Sequence, residues 1–216
     1  TTAEGSIVAA PRWCYLPEPL EREQRLWGVA THVYSLRSQQ NWGIGDFGDL
    51  KQLARMAAQA GASFVAVNPF HALSSMRPEH ASPYSPSSRL FINPLYIHLE
   101  TAGVAPSDDT MDELRRAPLV DYTRVWSVKG GALEASGARS CSAPDADFEA
   151  FMRNAGDALE DFAVFTALSE SLGAPWQAWP VRYRKPGNSA VKRFAAERCD
   201  RVRYHKYLQF LADRQL

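Results

Sequence analysis

Residues able to do chemistry concentrate in the run Ser82-Pro83-Tyr84-Ser85-Pro86, where two prolines bracket a tyrosine among hydroxyl side chains. Proline fixes its own φ and restricts the residue before it, so this backbone has little freedom left to lose when a ligand binds. A tyrosine held in this way presents a flat apolar face together with a hydroxyl. A sugar ring has the matching shape, with C–H groups on its faces and hydroxyls on its rim. The same ring can instead serve only to pack the loop onto the body, and the residues alone leave both readings open. Asn93, ahead of Pro94, carries an amide that can bind a sugar hydroxyl or close a turn. His71 stands at the end of an apolar run and within reach of the same loop, and Arg89 can brace the loop through a carboxylate elsewhere. Trp176 and Trp179 have the composition of a sugar platform, but Pro175 and Pro180 beside them favour a packed connection between helices.

Other chemistries find little support. Gly43-Ile44-Gly45 falls where a phosphate loop would, yet it lacks a third glycine and no Gly-Lys-Ser/Thr follows, which favours a tight strand-to-helix turn. His32, His71, His80, His98 and His205 show no pairwise metal-ligand spacing, and Gly-x-Ser-x-Gly is absent. No metal and no cofactor is expected. Lys+Arg number 24 against 24 Asp+Glu, so no excess positive charge exists to release counterions from nucleic acid or to hold an anionic membrane. Arg198, Arg201 and Arg203 come closest to a basic face and read as a solvated helix surface. No apolar run approaches the ~20 residues of a membrane span. Three widely spaced cysteines, Cys14, Cys141 and Cys199, fit a reducing cytoplasm better than a disulfide framework.

The elements that must position these groups can be read from periodicity. Residues 1–24 form an extended, proline-rich lead-in, with Trp13 and Tyr15 expected to pack back on the body. Residues 27–36 have the β-branched and aromatic content of a strand buried on both faces, and 37–45 read as a loop. Asp46 can cap a helix in which Asp49 complements the dipole and Phe47, Leu50, Leu53, Ala54, Ala57 and Ala60 share a face, with Gly61 to end it. Residues 63–70 are a second apolar strand, giving a βαβ unit with parallel strands. Residues 92–100 suit an edge strand or arm, and 101–116 a polar connector. Asp121 can cap a helix bearing Val125, Val128, Ala132 and Leu133, and Asp147 a long one carrying Phe148, Phe151, Leu159 and Phe162 that ends near Gly173. Residues 137–145 are small and polar. From Ser189 a single helical period runs to the last residue without a stop signal, the pattern expected of a chain that continues.

Several motifs resemble the 4-α-glucanotransferases, or amylomaltases. They are Trp27-Gly28-Val29, Tyr34-Ser35-Leu36-Arg37-Ser38, Asn41-Trp42-Gly43-Ile44-Gly45-Asp46-Phe47-Gly48-Asp49-Leu50, Asn68-Pro69, the run from Ala81 to Arg89, and Asn93-Pro94-Leu95-Tyr96-Ile97. Weaker echoes continue through Val120-Asp121-Tyr122, Trp179-Pro180 and the run from Tyr204 to Phe210. The resemblance implies an α/β fold: a partial (β/α)8 TIM barrel of the α-amylase clan, its first two strands in residues 25–100, with a mainly helical inserted subdomain in 101–216. It also implies transfer of α-1,4-glucan segments between maltooligosaccharides by a retaining double displacement, with two carboxylates about 5 Å apart. Those carboxylates match nothing in this sequence, so no catalytic residue is assigned, and Asp46 and Asp49 read as helix-start residues. The substrate-binding candidates are Tyr84, expected to stack on the sugar, and Ser82 near it, with Asn93 and His71 added. Between Phe70 and Ala81 the sequence reads Arg77-Pro78-Glu79-His80 where relatives carry a glycine-rich stretch with an extra sugar-stacking aromatic, so a second glucan site on this loop is not expected. The implied partners are a glucan and the remainder of the barrel; the competing reading is a glucan-binding or assembly module without catalysis.

Overall fold

The computed structural model describes residues 7–22, 25–99, 109–140, 145–173 and 175–216. A one-turn helix α1 (Glu18–Glu21) precedes β1 (Gly28–Thr31), which ends in a 3-10 turn over Val33–Ser35. Helix α2 (Phe47–Gln59) then leads to β2 (Phe64–Val67), and the two strands pair in parallel with Gly28 opposite Phe64 and Thr31 opposite Val67. The expected βαβ unit is therefore present, with both strands shorter than their apolar runs. Nor are they buried on both faces. Phe64 is 52% exposed, and the elements packed most closely against β2 are β1 and α2.

Beyond β2 the chain forms an arm. Strand β3 (His71–Ala72) pairs antiparallel with β4 (Ser88–Ile92), and residues 73–87 form the loop between them. A second 3-10 turn, Pro94–Tyr96, carries the chain into the main core, where Val33, Ile44, Ile97, Leu99, Val125 and Leu133 are fully or almost fully buried. The polar connector contains helix α3 (Thr110–Arg116); residues 101–108 lie outside the described residues.

The helical half starts where Asp121 accepts a hydrogen bond from the Arg124 N–H at 3.0 Å, capping α4 (Tyr122–Val125) as expected. A π-helical stretch, Trp126–Gly130, joins it to α5 (Gly131–Ser140), so helix occupies part of the small polar stretch and Cys141 falls outside the described residues. The cap of α6 (Ala146–Leu172) is Asp145 rather than Asp147: its carboxylate accepts from the Asp147 and Phe148 amides. Gly156 interrupts that helix at φ 55°, and Gly173 ends it. The final helical pattern is two helices, α7 (Ser189–Glu197) and α8 (Cys199–Asp213), broken at Arg198.

The expected solvated basic face holds at Arg198, which is exposed, but not at Arg201 and Arg203, which are half-buried in ion pairs. Arg201 bonds Glu134 and Glu170, and Arg203 donates to Glu149 at 2.7 Å with its guanidinium 4.8 Å from the Phe148 ring. Conversely Trp13 and Tyr15 stand 78% and 87% exposed, so the lead-in does not pack back. No helix among the described residues is long and apolar enough to cross a membrane.

Candidate functional site

The tyrosine motif occupies a turn. The Ser85 N–H donates to the Ser82 carbonyl at 3.1 Å, which puts Pro83 and Tyr84 at the two corners. Pro83 is buried and anchors the turn, whereas Tyr84 is 62% exposed at its tip. Ser82 is exposed beside it. Fixing Pro83 inward is what turns Tyr84 outward, so the arrangement offers a rigid aromatic face to solvent.

Asn93 and His71 sit together at the other end, the base of the arm. His71 lies opposite Ile92, and the Asn93 N–H donates to the Phe70 carbonyl at 2.8 Å. The Asn93 side chain is buried, and its Oδ1 accepts from the Leu95 N–H at 3.1 Å to start the 3-10 turn. Its amide oxygen is thus engaged in closing a turn, while His71 is half-buried. Trp179 is packed, donating its indole N–H to the Gly173 carbonyl at 2.6 Å, while Trp176 is 44% exposed.

The arm is tied to the strands through Asn68 at the end of β2. Its Oδ1 accepts from the Val33 N–H at 2.7 Å, and its Nδ2 donates to Pro69 O and to the Tyr96 hydroxyl. Burial pushes the Tyr96 phenol up to about 12, more than the Asn68 bond lowers it, so Tyr96 stays neutral. Asp46 and Asp49 form a capping box at α2, as their positions predict. Asp46 does more than cap: fully buried, it also meets His98 Nδ1 at 3.1 Å and Lys129 Nζ at 3.2 Å. Burial alone would raise the Asp46 carboxyl, but Lys129 and then His98 outweigh it and hold it below the usual carboxylate range. These three are committed to one another and are not available for catalysis.

A cavity of about 280 Å3 lies between the arm and the helices, lined by Met76 and Ser87 of the arm's loop and by Trp126, Phe162 and Phe165. Neither Ser82 nor Tyr84 lines it. At its polar side Arg201 bonds Glu170 through Nε and Nη2, both at 2.6 Å, and meets Glu134 at 2.6 Å through Nη1. His205 Nε2 lies 3.2 Å from Glu170 Oε2 without hydrogen-bond alignment. Burial raises the Glu170 carboxyl, yet the Arg201 hydrogen bonds and then His205 prevail and bring it to about 2. Two carboxylates in one cavity resemble a glycosidase pair. A proton donor near neutral pH needs a raised pKa, however, and Glu170 has the reverse.

That cluster gives a pH dependence of fixed sign. A carboxyl bound below its unfolded value of 4.5 contributes stability that is complete above that pH and is lost as pH falls toward 2. Urea midpoints should therefore drop through this acid window, and Glu170→Gln should flatten the drop while lowering stability at pH 7. An unchanged acid profile in the variant would discard the assignment.

Sequence reasoning missed Lys129, the Glu170–Arg201–His205 cluster and Gln209. For Lys129 a signal existed: it stands four residues after Val125, on a helix surface read as apolar. For the others, partners are 31 or more residues apart and no local pattern marks them. Among the described residues no group of His, Cys, Asp and Glu side chains could hold a metal ion.

Comparison with known proteins accords with this architecture. The 4-alpha-glucanotransferase of Mycobacterium tuberculosis is 37% identical over 233 residues, covering 99% of this chain and 32% of that protein. The Haemophilus influenzae enzyme of the same name is 29% identical, covering 97% and 34%. The chain thus spans about a third of the length of these relatives. Among solved structures, the amylomaltase from Corynebacterium glutamicum has a TM-score of 0.65 at 29% identity, over 88% of this chain and 27% of that one. Amylomaltase from Streptococcus agalactiae, in complex with acarbose, has a TM-score of 0.73 at 22% identity, over 89% and 39%, a likeness of fold. The glycoside hydrolase 77 family profile, described as 4-alpha-glucanotransferase, matches residues 31–216, taking in β2, the arm with Tyr84 and the helices behind it. The chain belongs to the 4-alpha-glucanotransferase family.

Proposed function

We propose that the protein to which this chain belongs moves α-1,4-glucan segments between maltooligosaccharides by a retaining double displacement, in a reducing cytoplasm. The chain's part is to supply the first two strands of a (β/α)8 barrel, the substrate arm, and a helical inserted subdomain in residues 101–216. The observation that carries this reading is Tyr84, outward at the corner of a turn anchored by Pro83, on an arm that leaves the end of β2. Ligand contacts in barrel enzymes gather at that end of the strands.

Retention needs two carboxyl groups about 5–5.5 Å apart, one able to give up a proton near neutral pH. The most enclosed acids among the described residues are otherwise engaged: Asp46 with Lys129, Asp49 with Asn41 and the Asp46 amide, and the half-buried Glu170 with Arg201. Nucleophile and acid/base therefore belong to parts of the protein outside these 216 residues. Incubated with maltotriose, the 216-residue chain should release no glucose, and robust turnover would overturn that division of labour. Calorimetric titration with maltotriose tests the binding half. Tyr84→Ala should weaken binding by about tenfold, the worth of one stacked ring. An unchanged dissociation constant would remove Tyr84 from the site.

A further inference from the structure

We propose that Gln209 of α8 is a positioning residue for Tyr84, holding the substrate arm by acting as the missing strand on its outer edge. The proposal rests on the sugar-stacking reading of Tyr84 for its functional consequence, and on geometry alone for the mechanical one. The arm is a weak structure by itself. Strand β3 has two residues, and the register jumps from Ile92, opposite His71, to Ser88, opposite Ala72, so Arg89, Leu90 and Phe91 have no residue directly opposite them. A two-stranded ribbon of this length is marginal in water.

Two contacts from the helical half make up for that weakness. Phe91 stacks on Phe162 of α6 with ring centroids 4.2 Å apart and planes 20° from parallel. On the edge of β4 away from β3, the Ile92 N–H donates to Gln209 Oε1 at 2.9 Å and Gln209 Nε2 donates to Ile92 O at 2.9 Å. A primary amide satisfying the N–H and C=O of one residue reproduces what a neighbouring strand would do. Gln209 is 3% exposed, so these bonds are shielded from water. Six residues on, Gln215 repeats the pattern, its Oε1 accepting from the His98 N–H at 2.6 Å and its Nε2 donating to His98 O at 3.1 Å. Residues 92 and 98 are thereby spaced by glutamines 209 and 215, and α8 sets where the arm begins.

Glutamine suits this role because one end donates and the other accepts. Gln209→Glu keeps the shape but offers only acceptors, which sets a carboxylate oxygen against the Ile92 carbonyl. Hydrogen–deuterium exchange read by NMR on the 216-residue chain is the direct test. In the unmutated chain the Ile92 amide should exchange as slowly as that of Asn93, although no strand faces it; exchange at solvent rates overturns the proposal without any variant. In Gln209→Glu, exchange over residues 71–92 should quicken by about tenfold or more while α2 and β2 keep their rates. Uniform quickening, or none, also overturns it.

The functional arm is a double-mutant cycle with Tyr84→Ala, read as the maltotriose dissociation constant. If Gln209 acts through Tyr84, Gln209→Glu weakens binding in the parent and adds nothing in the Tyr84→Ala background. Additive losses contradict the proposal. A Tyr84→Ala variant that binds like the parent instead removes the sugar-stacking reading, and exchange alone then decides the role of Gln209.

Discussion

Replacing Lys129 by methionine is expected to destabilise the chain by about 3–5 kcal/mol, because it strands a buried carboxylate. Lys129 and Asp46 are both fully buried and their charged atoms lie 3.2 Å apart. Methionine nearly matches the volume of lysine, so the loss comes from charge and not from a cavity. The groups left around Asp46 are the His98 ring and the Gly48 and Asp49 amides. The diagnostic variant is the double change Lys129→Met with Asp46→Asn. Asparagine still caps a helix and carries no charge, so the double variant should recover more than half of the loss. Urea melts with an unchanged m-value provide the comparison. A double variant no more stable than Lys129→Met alone would show that the ion pair is not what Lys129 contributes.

The same pair ties the βαβ unit to the helical half. Asp46 starts α2, Lys129 lies in the π-helical stretch 83 residues later, and His98 comes from the segment between. A π-helical turn widens the helix and shifts the angular position of the residues C-terminal to it. Here it falls on the lysine that reaches Asp46. Arg115 adds a second tie, donating from Nε to the Asn41 carbonyl at 2.6 Å across the loop between β1 and α2.

The features legible in the sequence are those that depend on near neighbours. Helix α2 was legible because its cap, its second acid and its terminating glycine all lie within sixteen residues, and its bounds agree with that reading. The break at Arg198 was not. Val191, Ala195 and Val202 remain in step across it, so the apolar period continues although the backbone at Arg198 turns to φ −119°, ψ 30°. The strands misled in the opposite direction: β2 has the composition of a covered strand but is covered on part of its surface only. Tyr84 was legible as a candidate because two prolines announce its turn. The bonds that hold its arm were not, since Gln209 and Ile92 are 117 residues apart and any exposed helix can carry a glutamine.

Gly45→Ala is expected to cost about 3 kcal/mol, through backbone contact and with no ligand involved. Gly43 and Gly45 resist substitution for different reasons. Gly43 adopts φ 79°, the left-handed conformation that favours glycine. Gly45 has no such dihedral; there the chain crosses the 3-10 turn after β1, with the Gly45 N–H donating to Tyr34 O at 3.3 Å. A methyl group at Gly45 would drive into the Val33 carbonyl oxygen and stand 2.8 Å from Leu36 Cβ and 3.0 Å from Leu36 N. None of these is a flexible side-chain end that can swing away. Moving Val33 would in turn strain the bond from its N–H to Asn68, which joins β1 to the end of β2 at the base of the arm. The loss should therefore exceed that of a simple overpacked site and should be accompanied by faster exchange at the Val33 amide. Gly187→Ala is the control, exposed and with nothing within 4 Å of the added carbon, and should leave stability unchanged. Equal urea midpoints for the two variants would mean that the crossing tolerates a side chain and that the glycine there is incidental.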